Sequence, residues 1–418
     1  MELNRVVVTG VGPVSAIGTG REPFWAALRA GTHGFGPITL CDTEGLDSTI
    51  AAEVKDFDLM THLPEARPSM AEMPRMVQFA LAAGALALED SAIDLDGCGR
   101  DRVGVHVGTS IANLATSFAL QDALQQYHRA PAHAAFFGFN HSAACLVSAT
   151  FDLRGPLHTA TSGCNAGLDA LGHAAKTIRL GEAEAMLVIG ADCEVVREIV
   201  YALSRSRSLA TRYNDTPAIA SRPFDAERDG NVLGEGAGAL LIEAEDHALA
   251  RGARVYARLA AYRSAAAGED REYSHDRPVL DARPCVRAIG GAIAGAGWSR
   301  DQVDVVNANG SSSKLYDRLE AQALGEVFGE RLPDVPIYSI KSMLGQHGAG
   351  SSALQAISAC LSVYADEIPP TINHDVLDPA CGPLQVVTEA RTLPIERALV
   401  HAIGMGGFYY SAAAFETG

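Results

Sequence analysis

Aromatic residues make up only 6% of the 418 positions, and charged residues only 20%. Cationic charge is the scarcer sign: 33 Lys and Arg stand against 50 Asp and Glu, a net charge of −17 with histidine neutral. A field of that sign repels nucleic-acid phosphates and anionic lipid, and no sizeable basic patch offsets it, so neither nucleic acid nor a membrane is expected as a partner. Cysteine occurs at 41, 98, 145, 164, 193, 285, 360 and 381, never as C-x-x-C and never with a Cys/His spacing that suits zinc. These read as reduced thiols, and no metal is expected. No apolar run approaches the roughly 20 residues of a membrane span, and the N-terminus lacks a basic-then-apolar signal pattern, so a cytoplasmic location is expected.

Hydrophobic residues are abundant at 48%, and glycine occurs 41 times. That balance supports a large core and excludes a disordered or fibrous chain. At roughly 100–200 residues per domain the length fits two or three domains, or one large pseudo-symmetric body. Short apolar runs recur at 6–12, 103–108, 185–190, 238–242, 303–307 and 398–403. They alternate with Ala/Leu-rich stretches at 76–90, 168–180 and 353–364, whose apolar residues return every three or four positions. Strands alternating with helices predict a layered α/β architecture with sheets covered on both faces. No low-complexity linker divides the chain. Its weakest stretch is 260–277, and a boundary near 250 separates halves 1–250 and 251–418, each with strand-Gly-helix units that hint at duplication.

Two segments are candidates for chemistry. Cys164 lies among small residues just before a helix whose apolar positions 168, 171, 175 and 178 share a face. A thiol at a helix N-terminus feels the positive end of the dipole, which lowers its pKa and favours the thiolate. Cys164 is therefore a candidate nucleophile at a tight strand-to-helix turn, the alternative being a buried space-filling cysteine. The second segment, 222–238, is a polar turn followed by Gly234, Gly236 and Gly238. These glycines lead into a strand and not a helix, which argues for backbone packing over a phosphate-binding loop.

Together with 307–313, Asp317 and Glu320, 339–345, 368–373 and 404–407, these segments resemble, in order and over essentially the whole chain, the β-ketoacyl-acyl-carrier-protein synthases. The resemblance implies the thiolase fold: two duplicated halves in a five-layer αβαβα sandwich that dimerises through its N-terminal half. It also implies a cysteine that accepts an acyl chain from its carrier protein, two histidines that stabilise the enolate left by malonyl decarboxylation, and no cofactor. Cys164 matches the nucleophile. The family's first histidine falls on Asn309, and the second falls on Gln346 in an ungapped register, or on His347 if the following turn is shortened by one residue. Lys341 matches a supporting lysine. Gly404, Met405, Gly406 and Gly407 match a gate where many synthases carry phenylalanine at the Met405 position, and Phe408 stands where hydrogen-bonding residues usually line the substrate tunnel.

An amide donates a hydrogen bond but cannot change charge or tautomer as an imidazole does. An intact fold signature with a degraded histidine pair resembles the chain-length factors of type II polyketide synthases, which pair with an active ketosynthase and shape its acyl tunnel. Many of those subunits have lost the cysteine, so its retention keeps an alternative open: an active synthase performing decarboxylative Claisen condensation through Cys164. With Arg205, Arg207 and Arg212 as the one small basic cluster, the acidic chain is expected to leave docking of the acyl carrier protein mainly to its partner.

Overall fold

Each apolar run forms a buried strand in a computed structural model that describes residues 3–128, 134–268 and 281–418. In the first half, β1 (Val6–Ser15), β2 (Val103–Gly108), β3 (Leu157–Ala160), β4 (Ala185–Cys193) and β5 (Leu233–Ala244) lie in the order β3-β2-β4-β5-β1. In the second, β6 (Ala257–Ala266), β7 (Val305–Asn307), β8 (Pro336–Tyr338), β9 (Arg397–Ile403) and β10 (Tyr409–Glu416) lie in the order β8-β7-β9-β10-β6. The strand senses repeat as well. In each half the three strands at one end run parallel and the other two join antiparallel. Equal order and equal sense make the halves a structural duplication. β1 and β6 pair at Val7 with Arg258 and Val8 with Ala257, so the two sheets are continuous.

Helices complete the layers. α1 (Arg75–Ser91) and α2 (Ser142–Phe151) cover the outer face of the first sheet, while α4 (Arg283–Gly295) and α5 (Lys314–Phe328) pack with the second sheet in one core. α3 (Ala166–Arg179) and α6 (Gly348–Ala365) lie between the sheets. The result is the expected αβαβα sandwich of the thiolase type. α6 is buried from Gly348 through Val363 because both of its sides meet protein, and its small residues allow that approach. A Cβ placed on Gly167 of α3 would lie 2.4 Å from the Ala349 carbonyl oxygen of α6, and one on Gly190 of β4 would meet the same oxygen at 2.4 Å. Part of the glycine excess is thus the spacing of the central layer.

Several local expectations shift. Residues 260–266 lie within β6, which pairs with β10 along its length, while the polar run 269–272 lies outside the described residues. Gly234, Gly236 and Gly238 are inside β5 and not ahead of it; a Cβ on Gly236 would strike the Val14 carbonyl oxygen at 2.6 Å, so strand packing accounts for that glycine. β7 begins at Val305 and α6 at Gly348. Among the described residues no helix is long and apolar enough to cross a membrane, and the eight cysteines are free.

The central contact gives a test. Gly167→Ala should destabilise the chain by about 1–3 kcal/mol through overpacking. Gly290→Ala, at a position in α4 where a Cβ would meet nothing within 4 Å, should be neutral or stabilising by up to about 1 kcal/mol. Urea midpoints compare the two, and equal effects would refute the assignment.

Candidate active site

The chain leaves β3 and turns through Gly163, whose φ of +70° belongs to the left-handed region, into a short turn Gly163–Asn165 that opens α3. Cys164 sits in that turn and is buried. The elbow is tied down on both sides. Asn165 Nδ2 donates to the Tyr409 carbonyl at 3.1 Å, and Asp169, one turn into α3, accepts from the Tyr262 hydroxyl at 2.6 Å and from the hydroxyls of Ser162 and Ser411.

Burial decides the state of the thiol. The dipole-based expectation of a lowered pKa is overturned: loss of water pushes Cys164 up to about 11. The charge of Glu194 adds to that rise, and a hydrogen bond from the Gln346 side chain, the nearby Lys341 and the Met405 backbone N–H oppose it without reversing it.

Gln346 follows Gly345, and its backbone is clamped to β5 by bonds to the Val232 carbonyl (2.8 Å) and from the Gly234 N–H (2.9 Å). Its amide nitrogen serves Cys164, which leaves Oε1 buried without a partner. His347, one residue on, faces elsewhere. Its Nδ1 lies 3.2 Å from the Ser351 hydroxyl, its ring packs beside Gly236 and Gly350, and burial depresses it to about 3. His347 is not among the residues that line the pocket at Cys164.

Asn309 leaves β7 on the opposite wall. Its backbone N–H donates to Glu320 at 2.7 Å, and its Oδ1 accepts from Lys341 Nζ at 3.1 Å and from the Ile403 N–H at 3.2 Å. With the oxygen doubly engaged, the amide nitrogen is the end left for the pocket. Lys341 is buried and also donates to the Asn309 carbonyl (2.7 Å) and Gln355 Oε1 (3.0 Å). Burial lowers it to about 8 even though Glu320, Cys164 and Asp317 pull the other way. Behind this network Asp317 accepts from the Phe224 and Ser311 N–H groups, each at 2.9 Å. Buried Arg228 lies 3.4 Å from Asp317 and 2.7 Å from Asp378. The polar part of 222–238 therefore braces the loop that carries Asn309.

Of the glycine-loop residues, Met405 lines the pocket, while Gly404, Gly406, Gly407 and Phe408 do not. The loop is fixed from below by the bond from the Gly406 N–H to the Tyr316 hydroxyl at 2.7 Å. The substituted tail has hydrogen bonds of its own: Tyr409 supplies the carbonyl for Asn165, and the Tyr410 hydroxyl donates to the Gly407 carbonyl at 2.9 Å. In the basic cluster, Arg212 is paired with Asp229 at 2.9 Å.

Residue patterns alone did not single out Glu194, Gln355 or His401. Glu194 directly follows β4, two positions after Asp192, a spacing that puts alternate residues of an extended chain on one side, and that spacing was the available signal. Asp192 accepts from the Thr109 hydroxyl and from the N–H groups of Ser110, Ile111 and Ala349. Glu194, which lines the Cys164 pocket, has no such set. Burial, then the neighbouring Asp192 charge, push its carboxyl up to about 8. Gln355 is a polar residue in a helix of small and apolar ones. His401 places its Nε2 2.8 Å from Glu320 behind Asn309.

The Glu194 proton carries a pH signature. A carboxyl whose folded pKa is raised from 4.5 to about 8 stabilises the fold at low pH and loses that contribution as pH rises, because the unfolded chain ionises first. Glu194→Gln should therefore gain on the wild type by about 2–4 kcal/mol between pH 5 and pH 8, read from urea unfolding at both values; a constant difference would contradict the assignment.

Comparison with known proteins identifies the family. The beta-ketoacyl synthase N-terminal domain model matches residues 3–248 and the corresponding C-terminal domain model matches 259–375. The chain is 33% identical over 411 residues to 3-oxoacyl-[acyl-carrier-protein] synthase 2 of Synechocystis sp., covering 97% of each. It is 36% identical over 413 residues to a Streptomyces cyaneus protein assigned as polyketide beta-ketoacyl synthase 1, covering 97% of this chain and 96% of the other. Among solved structures, the ishigamide ketosynthase/chain length factor superposes with a TM-score of 0.91 at 30% identity over 100% of both chains. A type II PKS acyl-carrier protein in complex with its ketosynthase bound to the hexaketide gives 0.89 at 28%, again over 100% of both. With matched elements in every layer and a cysteine elbow at the head of the central helix, the chain belongs to the beta-ketoacyl synthase family.

Proposed function

We propose that this chain is a partner subunit of the chain-length-factor kind, which pairs with an active ketosynthase in polyketide assembly and shapes the tunnel that holds the growing chain. One observation carries the reading: the amides of Asn309 and Gln346 stand where the family's motif has histidines, and the Cys164 thiol is pushed up to about 11 with no imidazole lining its pocket. Decarboxylation needs preorganised donors at the developing enolate oxygen, where an amide can donate but cannot carry the positive charge of an imidazolium. An exposed sheet edge supports assembly with such a partner. Among the described residues β3 is the outermost strand of the first sheet, with Leu157 and His158 exposed, and such an edge offers unpaired backbone groups to a partner strand. The net charge of −17 and the pairing of Arg212 with Asp229 support carrier docking mainly on the partner.

A second reading, an active synthase, draws on the Met405 backbone N–H aimed at the Cys164 sulfur. Together with the amide of Cys164 itself, that donor suits an acyl oxyanion, and acyl transfer requires little beyond a nucleophile and such a hole.

Co-expression separates the two. A ketosynthase bearing both histidines should form a stoichiometric complex with this chain, and the isolated chain should not decarboxylate malonyl-carrier protein. Decarboxylation and condensation by the chain alone, abolished in Cys164→Ala, would overturn the partner-subunit reading. The thiol offers a further measurement: iodoacetamide labelling of the Cys164 peptide should rise about tenfold per unit between pH 7 and pH 9. A plateau near pH 8 would show an activated cysteine and favour the active synthase.

A further inference from the structure

The Cys164 pocket encloses about 30 Å³, room for about two water molecules. No acyl group or thiol reagent fits in that space, so Cys164 reacts only after a wall has moved. Of the described residues that line the pocket, Met405 alone is exposed, at 57%. It belongs to the loop 404–407, whose two ends are fixed. The Gly404 N–H donates to the Tyr409 carbonyl, and the Ala267 N–H donates to the Phe408 carbonyl, both at 2.9 Å. Between those ends the backbone depends on glycine: Gly406 and Gly407 have φ of +84° and +67°, a region that glycine enters and leaves at little cost. The bonds from the Gly407 N–H to the Gly404 carbonyl and from the Tyr410 hydroxyl to the Gly407 carbonyl lie within the β9–β10 hairpin, so they hold the loop's shape and not its place.

Among the described residues, the place of the loop tip is set by two consecutive N–H groups. That of Met405 points to the Cys164 sulfur, and that of Gly406 donates to the Tyr316 hydroxyl at 2.7 Å. The first bond is weak, because a thiol sulfur is a poor acceptor. The second ends on a rigid post. Tyr316 stands in the first turn of α5, its own N–H bonded to the Ser313 hydroxyl at 3.4 Å. The next residue, Asp317, is buried and holds the Phe224 and Ser311 N–H groups, each at 2.9 Å. The glycine loop is therefore the side that yields when the two part. We infer that Tyr316 is a positioning residue for Cys164: its hydroxyl latches the 404–407 loop over the thiol, and release of that one bond opens the pocket. Because Met405 and Gly406 are consecutive, the same latch keeps the Met405 N–H on the sulfur. The inference concerns access to the thiol and goes beyond the choice between partner subunit and independent synthase.

Tyr316→Phe keeps the ring and removes the hydroxyl. Iodoacetamide should label the Cys164 peptide of the full-length variant about three- to tenfold faster than that of the wild type, the ratio expected from loss of one neutral hydrogen bond. The factor should be the same at every pH from 7 to 9, since the latch controls access and not the titration of the thiol. Amide hydrogen exchange resolved to single residues should show the Met405 and Gly406 N–H groups accelerating together. Labelling of Cys360, which is 0% exposed within α6, should be unchanged, and this separates opening of the loop from a general loosening of the fold. An unchanged rate at Cys164, faster exchange confined to Gly406, a factor that varies with pH, or an equal rise at Cys360 would each overturn the inference.

Discussion

Both walls of the pocket are positioned by the contact between the two central helices. α3 and α6 are equivalent elements of the duplicated halves, and the halves meet so that the first turn of α3, at Gly167, lies against the first turn of α6, at Ala349. Cys164 precedes one helix by two residues and Gln346 precedes the other by two, so one packing contact brings the thiol and the amide together. Glycine makes the contact possible. A Cβ on Gly350 would sit 2.6 Å from the Gly236 carbonyl oxygen, and any widening of this layer would move Gln346 away from the sulfur before it disturbed either sheet.

The same packing sets the electrostatics. With water excluded, burial pushes Cys164, Glu194 and Asp317 up and Lys341 and His347 down, in each case toward the neutral form. An amide escapes this penalty because it carries no charge to desolvate. Asn309 is also wired in a way an imidazole cannot copy, since its oxygen accepts from both Lys341 and the Ile403 N–H, and a neutral imidazole has a single acceptor nitrogen. The surroundings of position 309 are therefore built for an amide, and a histidine placed there would leave one of those donors unmatched.

Much of this was legible in the residues. The strand runs, the central helices and the cysteine elbow follow from apolar periodicity and small-residue clustering, which report local geometry directly. Ordered motifs then carried the resemblance that gave the layer count and placed Asn309, Gln346 and Lys341. What stayed hidden depends on three-dimensional burial. The helix dipole argued for a reactive Cys164, and only the packing around the turn shows that desolvation outweighs it. Glu194 drew no notice in the sequence because its significance lies in lining the pocket of a cysteine thirty residues earlier in the chain. The choice between Gln346 and His347 turned on a backbone clamp to Val232 and Gly234, contacts across more than a hundred residues that no local pattern encodes.

The protonation states that burial favours bear on whether Cys164 can act at all. Burial lowers Lys341 and raises both Glu194 and the Cys164 thiol, so each of the three is held toward its neutral form. Raising the pH toward the thiolate works against the Lys341 cation that would stabilise it and favours a Glu194 anion that opposes it. Lowering the pH keeps Lys341 charged and Glu194 neutral but leaves the thiol fully protonated. Burial thus works against a thiolate beside a charged lysine, a pairing that an imidazole partner would supply by taking the proton locally. A change that lessened the burial of the elbow would relieve the largest of the effects that hold the thiol protonated.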